Sequence, residues 1–343
     1  MSAPAGDTRV AAVGPGPARA VPTGREVTDP LLSVRDLHVR FDEIHAVSGV
    51  TFEVARGEFF GIVGESGSGK SVTARAVIDL LPSHAQKRGQ ILFKGEDLLQ
   101  ARPKRLRAIR GSSIGFVFQD ALAALDPVYT IGDQLVEALL AKRSMRRSAA
   151  RRRAADLLDE VGIPDPRQRL DSYPHQLSGG MRQRAVIASA LIADPELIIA
   201  DEPTTALDVT IQRQVMELLQ GIVESRGVAV VLITHDLAVV AETCDRVAVF
   251  YGGTIVEEAT TTGLFAAPRH PYTAALLASL PRMGGTGEFR PIPGNPIRVA
   301  TELACCPFAP RCANVVDLCR QRVPAEQTDG AHRFRCFRPE DPR

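Results

Sequence analysis

The chain has 343 residues, 45% hydrophobic and 24% charged, enough for about two soluble domains with a substantial core. Forty-one Lys and Arg against 40 Asp and Glu leave a formal charge of +1, which disfavours a strongly basic binder of nucleic acid or of an anionic membrane surface. No apolar run reaches the roughly 18–20 residues that cross a bilayer, because Ile187–Ala200 is broken by Asp194, Pro195 and Glu196 and Val228–Ile233 is short.

Residues 1–30, rich in Ala, Gly and Pro and without a secretory apolar segment, read as a disordered leader of a cytosolic protein. From Leu31 the text LSVRDLHVRF alternates as a strand does. GVTFEVARGEFFGIVG follows, and its nearly all-apolar end reads as a central buried strand. That strand runs into GESGSGKSVTARAVIDLLP, a glycine-rich turn and a helical pattern ended by Pro82, which makes an α/β unit. Residues 133–163 are helical in pattern and carry a basic cluster, Lys142–Arg153, which reads as solvated surface in preference to an RNA or lipid patch. Two more buried strands, ELIIADEP and VAVVLITHD, point to a parallel sheet covered on both faces. Beyond about Tyr251 the text turns Pro-rich, and a domain boundary is expected near residues 255–265.

GESGSGKS, Gly64–Ser71, fits G-x-x-x-x-G-K-[ST] and stands after a buried strand at the start of a helix, the context in which this motif cradles phosphates. Gly64, Glu65, Ser66, Gly67, Ser68, Gly69, Lys70, Ser71 and Val72 are therefore the candidate ATP-binding residues, with backbone N–H groups and the helix N-terminus facing the phosphates. Lys70 is placed for the β- and γ-phosphates and Ser71 for Mg2+. Asp201 and Glu202 end an apolar strand, where a carboxylate lies beside such a loop. Asp201 is then expected at the Mg2+ and Glu202 at the attacking water.

Between these elements stands LSGGMRQR, Leu177–Arg184, and here the chain resembles an ABC-type ATPase, with Met181 where the signature LSGGQ has Gln. The resemblance implies a P-loop α/β ATPase domain over 31–258 with a helical subdomain at about 120–185. It also implies a head-to-tail dimer in which Ser178, Gly179, Gly180 and Asp208 contact the nucleotide of the opposite subunit. By the same resemblance Gln119 of FVFQD is a Mg2+ and water ligand, Ala206-Leu207-Asp208 is the D-loop, and His235 of LITHD senses the γ-phosphate. Phe41 is the candidate adenine-stacking aromatic and is equally suited to the core.

IVGESGSGKS, FVFQDALAALDPVYTIGDQL, YPHQLSGGMRQR and DEPTTALDVTIQ together resemble the ATP-binding subunits of dipeptide, oligopeptide and nickel importers. HPYTAALLASLP, His270–Pro281, and IPGNP, Ile292–Pro296, resemble their C-terminal extension, a small loop-rich domain over 259–343. The implied function is ATP hydrolysis that powers peptide import. Its partners would be a second ATPase subunit, identical or paralogous, two transmembrane permease subunits and an extracytoplasmic binding protein, with the chain at the cytoplasmic face of the cell membrane. A nickel or glutathione importer is the alternative. A soluble ABC ATPase acting on nucleic acid or ribosomes is disfavoured by the single phosphate loop, the absence of coiled-coil text and the neutral charge.

Five of the six cysteines crowd the C-terminus. Cys306, Cys312, Cys319 and Cys336 stand at spacings x5, x6 and x16, wider than the usual C-x2-4-C of zinc sites. Buried small hydrophobes, zinc and free thiols compete with a [4Fe–4S] cluster. The resemblance to a cysteine motif of peptide-importer ATPases makes the cluster the expectation. Cys305 departs from that motif, and Cys244 is expected in packing.

Overall fold

The computed structural model describes residues 29–205, 207–279, 292–295, 297 and 303–340. The expected leader up to residue 28, Ala206 of the D-loop, and Leu280, Pro281 and Pro296 of the C-terminal motifs lie outside the described residues.

Among the described residues, twelve strands form two sheets. They are β1 Leu32–Phe41, β2 Ile44–Val54, β3 Phe59–Val63, β4 Gln86–Phe93, β5 Glu96–Asp97, β6 Ile114–Val117, β7 Leu197–Asp201, β8 Ala229–Ile233, β9 Arg246–Tyr251, β10 Thr254–Thr260, β11 Gln327–Asp329 and β12 His332–Phe334. The smaller sheet is antiparallel, in the order β2-β1-β4-β5. The larger runs β11-β12-β10-β9-β3-β8-β7-β6, parallel from β9 to β6 and antiparallel from β9 outward.

Every residue of β3, β7 and β8 is buried, as the unbroken apolar text requires of strands covered on both faces. The two faces alternate residue by residue. Phe59, Ile198, Ala200, Val230 and Leu232 join a core shared with the helices, whereas Phe60, Leu197, Ile199, Val231 and Ile233 join a second core under the antiparallel sheet. In chain order the strands before the site elements are β3, β7 and β8, but in space β8 lies between the other two. The segments that follow all three therefore emerge side by side at one edge, the place where ligands meet a parallel sheet.

The helix after the phosphate loop spans Lys70–Val77 and stops short of Pro82. Arg110 supplies the reason: its Nε donates to the Ile78 carbonyl at 2.6 Å and its Nη2 to the Asp79 carbonyl at 2.7 Å, while Asp79 turns to φ 51°. Acceptors that continued helix would have used are taken by a distant guanidinium.

Residues 131–191 carry the helices Ile131–Leu140, Arg147–Glu160 and Gly179–Leu191. Gly132 lets the first approach its neighbour closely, since a Cβ there would lie 2.7 Å from the Leu170 carbonyl oxygen. The basic cluster meets carboxylates on this surface: Arg143 and Arg153 pair with Asp194, Arg147 with Asp133 and Arg151 with Asp171. In the C-terminal part, Cys306, Phe308, Ala309 and Cys319 enter the same core as the helices, and β12 extends the main sheet by pairing Phe334 with Glu257 and Arg333 with Glu258.

Candidate functional site

The loop between β3 and the helix Lys70–Val77 takes its shape from two glycines that nothing larger replaces. At Gly64, φ 146°, a Cβ would lie 2.2 Å from the Phe250 carbonyl oxygen, and at Gly69, φ 99°, 2.5 Å from that of Ala46. The turn between β9 and β10 supports the loop from below, with Gly253 N donating to Ser68 O at 3.1 Å. Lys70 folds back across the loop, its ammonium donating to the carbonyls of Gly64 and Glu65 at 2.8 Å each. Burial pushes its pKa down, opposed by the nearby charges of Glu202, Asp201 and Glu65.

Ser71 Oγ donates to Asp201 Oδ1 at 2.7 Å. Asp201 is only 1% exposed, and its Oδ2 has no hydrogen-bond partner, the Arg75 guanidinium standing off at 3.8 Å. Desolvation pushes its pKa up. A hydroxyl beside a buried carboxylate with a free oxygen is a donor set suited to a small hard cation such as Mg2+.

Glu202 follows at φ 50°, its N–H bonded to Ile233 O of β8 at 2.9 Å. This left-handed residue swings its carboxylate away from the strand. Gln119 Nε2 and Thr205 Oγ1 each donate to Glu202 Oε2 at 2.9 Å, and His235 Nδ1 lies 3.5 Å from Oε1. The His235 side chain is 66% exposed. Together Ala46, Ser66 to Val72, Gln119, Glu202 and His235 line a cavity of about 560 Å³.

Among the candidates for nucleotide and Mg2+, Phe41, Gly64, Glu65 and Asp201 are not part of this lining, Asp201 standing behind Ser71. Phe41 packs against the core under the antiparallel sheet and meets His84 edge-on at 5.9 Å. Thr205 and Ala46 escaped the sequence reading. Thr205 stands three residues after Glu202 in the same turn, a signal that was available; Ala46 contributes no side-chain chemistry and had none. A second cavity, of about 540 Å³, lies away from this edge beside Pro195 and Gly227; its Arg56, Arg153 and Arg226 are already paired with Glu196, Asp194 and Glu160.

The ABC transporter family model matches residues 47–205, and the C-terminal region of the oligopeptide/dipeptide transporter family matches 256–319. The chain is 49% identical to the dipeptide transport ATP-binding protein DppD of Bacillus subtilis over 317 residues, 90% of this chain and 95% of that one. It belongs to the ATP-binding subunits of the oligopeptide/dipeptide ABC transporter family. The oligopeptide transport ATP-binding protein OppD of Escherichia coli is 41% identical over 93% of this chain and 96% of its own. A solved dimeric ATP-binding cassette, captured after hydrolysis with ADP and Pi, aligns with TM-score 0.60 at 30% identity, covering 67% of this chain and 98% of that one.

In this ATP-binding subunit the signature residues sit apart from the cavity, on the surface. Ser178 accepts from Met181 N at 3.3 Å and caps the helix Gly179–Leu191; Asp208 accepts from Ile211 N at 2.9 Å and caps the helix Val209–Arg226. The two caps are neighbours, since a Cβ on Gly180 would lie 2.9 Å from Ile211 Cγ2. Ser178, Gly179 and Asp208 are exposed.

The iron–sulfur expectation is corrected. No group of three or more His, Cys, Asp or Glu side chains among the described residues is placed to hold a metal ion. Cys306, Cys319 and Cys336 are buried, and Cys312 packs at the edge of the core. Burial pushes the thiol of Cys306 up to about 11 and that of Cys336 up to about 12, and raises that of Cys312. Cys306 and Cys319 pack in the core as small apolar groups. Cys244 is likewise buried, its thiol pushed up to about 12.

Proposed function

We propose that this chain is the ATP-hydrolysing subunit of a peptide importer, passing the motion of its nucleotide cycle to separate transmembrane subunits. One observation carries the reading: Lys70, Ser71, Gln119, Asp201, Glu202 and His235 converge on a single edge of the parallel sheet although the sequence spreads them over more than 160 positions. The names of the relatives, dipeptide and oligopeptide transport ATP-binding proteins, favour peptides as cargo. No helix among the described residues is long and apolar enough to cross a membrane, so the membrane path is assigned to two permease subunits and substrate capture to an extracytoplasmic binding protein.

Lys70 releases its loop carbonyls and pairs with the β- and γ-phosphates of ATP. Ser71, Asp201 and Gln119 would hold Mg2+, which when bound neutralises charge on the phosphate oxygens. Glu202, held at Oε2 by Gln119 and Thr205, orients a water and takes its proton as the water oxygen bonds to the γ-phosphorus and the bond to ADP breaks. His235 donates to the transferred phosphoryl group. In a head-to-tail dimer, with a second copy or a paralogue, the exposed N-terminus of the helix Gly179–Leu191 presents Ser178, Gly179 and Gly180, with Asp208 beside them, to the partner's γ-phosphate. The test is Glu202→Gln. MgATP affinity is expected to stay within about twofold while kcat falls on the order of a hundredfold or more; near-normal turnover would remove Glu202 from this role.

A further inference from the structure

Glu65 was a candidate phosphate-loop residue, yet its side chain turns out of the cavity. Both its oxygens are taken by Arg311, at 2.6 and 3.0 Å, from the cysteine-rich segment 246 residues away. Arg311 is buried, its side chain 5% exposed. Its Nε donates to Pro293 O at 2.8 Å, its Nη1 to Tyr251 Oη at 3.3 Å, and its guanidinium lies 5.8 Å from the centre of the Tyr251 ring. Tyr251 in turn packs against Tyr272 and Phe308 at ring separations of 4.6 and 5.2 Å. The hydroxyl of Tyr272 accepts the backbone N–H of Glu65 at 3.1 Å.

Glu65 is thus held at its carboxylate by one residue of the C-terminal region and at its N–H by another, while its carbonyl accepts from Lys70 Nζ. A carboxylate placed one residue inside a loop that receives a polyanion repels that polyanion unless it is neutralised. A buried, bidentate guanidinium neutralises it and fixes it in one orientation. We infer that Arg311 and Tyr272 are positioning residues of the ATP site: the C-terminal segment tunes nucleotide affinity by clamping and neutralising Glu65. The inference rests on the ATP-site reading above and adds to it a route by which the C-terminal segment bears on nucleotide binding.

The experiment is equilibrium binding of a fluorescent ATP analogue with Mg2+ to the full chain, read as Kd. Arg311→Gln is expected to weaken binding about tenfold, the size of one charge-assisted interaction. In the Arg311→Gln background, Glu65→Gln is expected to recover most of the loss, because the unneutralised anion is gone. A merely structural role predicts no such rescue. Unchanged affinity in Arg311→Gln, or a loss that Glu65→Gln fails to repair, would overturn the inference while leaving wild-type ATP binding intact; a wild type that binds no nucleotide would overturn both readings. Because loss of a buried arginine can unfold the segment, Tyr272→Phe gives an independent arm. It removes one oxygen and keeps the ring packing, and a weakening of about threefold is expected; wild-type affinity there also counts against the clamp.

Discussion

His270 gives this protein an acid sensitivity whose size follows from its burial. The residue is 1% exposed, its Nδ1 accepts from Tyr272 N at 3.0 Å, and its backbone N–H donates to Glu257 Oε2 at 2.8 Å. Burial outweighs the attraction of Glu257 and pushes its pKa down from 6.5 to about 4. Above pH 6.5 the ring is neutral in both folded and unfolded chains and contributes no pH dependence. Between 6.5 and about 4 the unfolded chain takes up a proton that the folded chain refuses, so stability falls as pH falls, by up to about 3 kcal/mol once both states are protonated. From pH 7 to pH 5 the loss is about 2 kcal/mol. Equilibrium urea unfolding of wild type and His270→Asn at the two pH values measures it, Asn being able to cap the helix Pro271–Ala278 in place of the imidazole. The wild type should lose about 2 kcal/mol more than the variant between pH 7 and 5; equal losses would refute the assignment of the acid response to this ring.

Three further substitutions separate sterics from conformation and packing from polarity. Gly64→Ala forces a Cβ onto the Phe250 carbonyl at positive φ and should cost about 3 kcal/mol or more, whereas Gly67→Ala, at φ 80° with nothing within 4 Å, should cost about 1 kcal/mol; equal melting temperatures would refute the steric account. Cys319→Ser buries a hydroxyl where a thiol packs in the core and should destabilise by about 1–2 kcal/mol in urea titrations, while a neutral result would mean the site is wetter than its burial implies.

What was legible in the sequence was local. GESGSGKS and ELIIADEP each carry strand, turn and chemistry within a few residues, so Lys70, Ser71, Asp201 and Glu202 stand out as candidates without knowing the sheet order. That β8 lies between β3 and β7, and so brings His235 to within 3.5 Å of Glu202, depends on long-range pairing that no local pattern encodes. The helix end before Pro82 was misjudged for a similar reason, since the acceptor of the last turn is captured by Arg110 from another element. The cysteines misled differently. Their spacing is compatible with ligation, but Cys306 and Cys319 enter a core of aromatic and aliphatic groups drawn from distant parts of the chain.

Arg311 marks the boundary between the two kinds of information. Nothing near it spells a nucleotide motif, and its neighbours Cys306 and Cys312 drew attention to a metal. Glu65, however, held a clue of its own: an acidic residue next to the first glycine of a loop built for phosphates is unfavourable unless a cation answers it. Within the loop only Lys70 carries positive charge, and its ammonium is committed to the carbonyls of Gly64 and Glu65. The counter-charge therefore had to come from outside the motif, and a planar guanidinium fits a carboxylate better than an ammonium does. Charge balance calls for a distant cation, and the folded chain supplies it from among the cysteines, as Arg311.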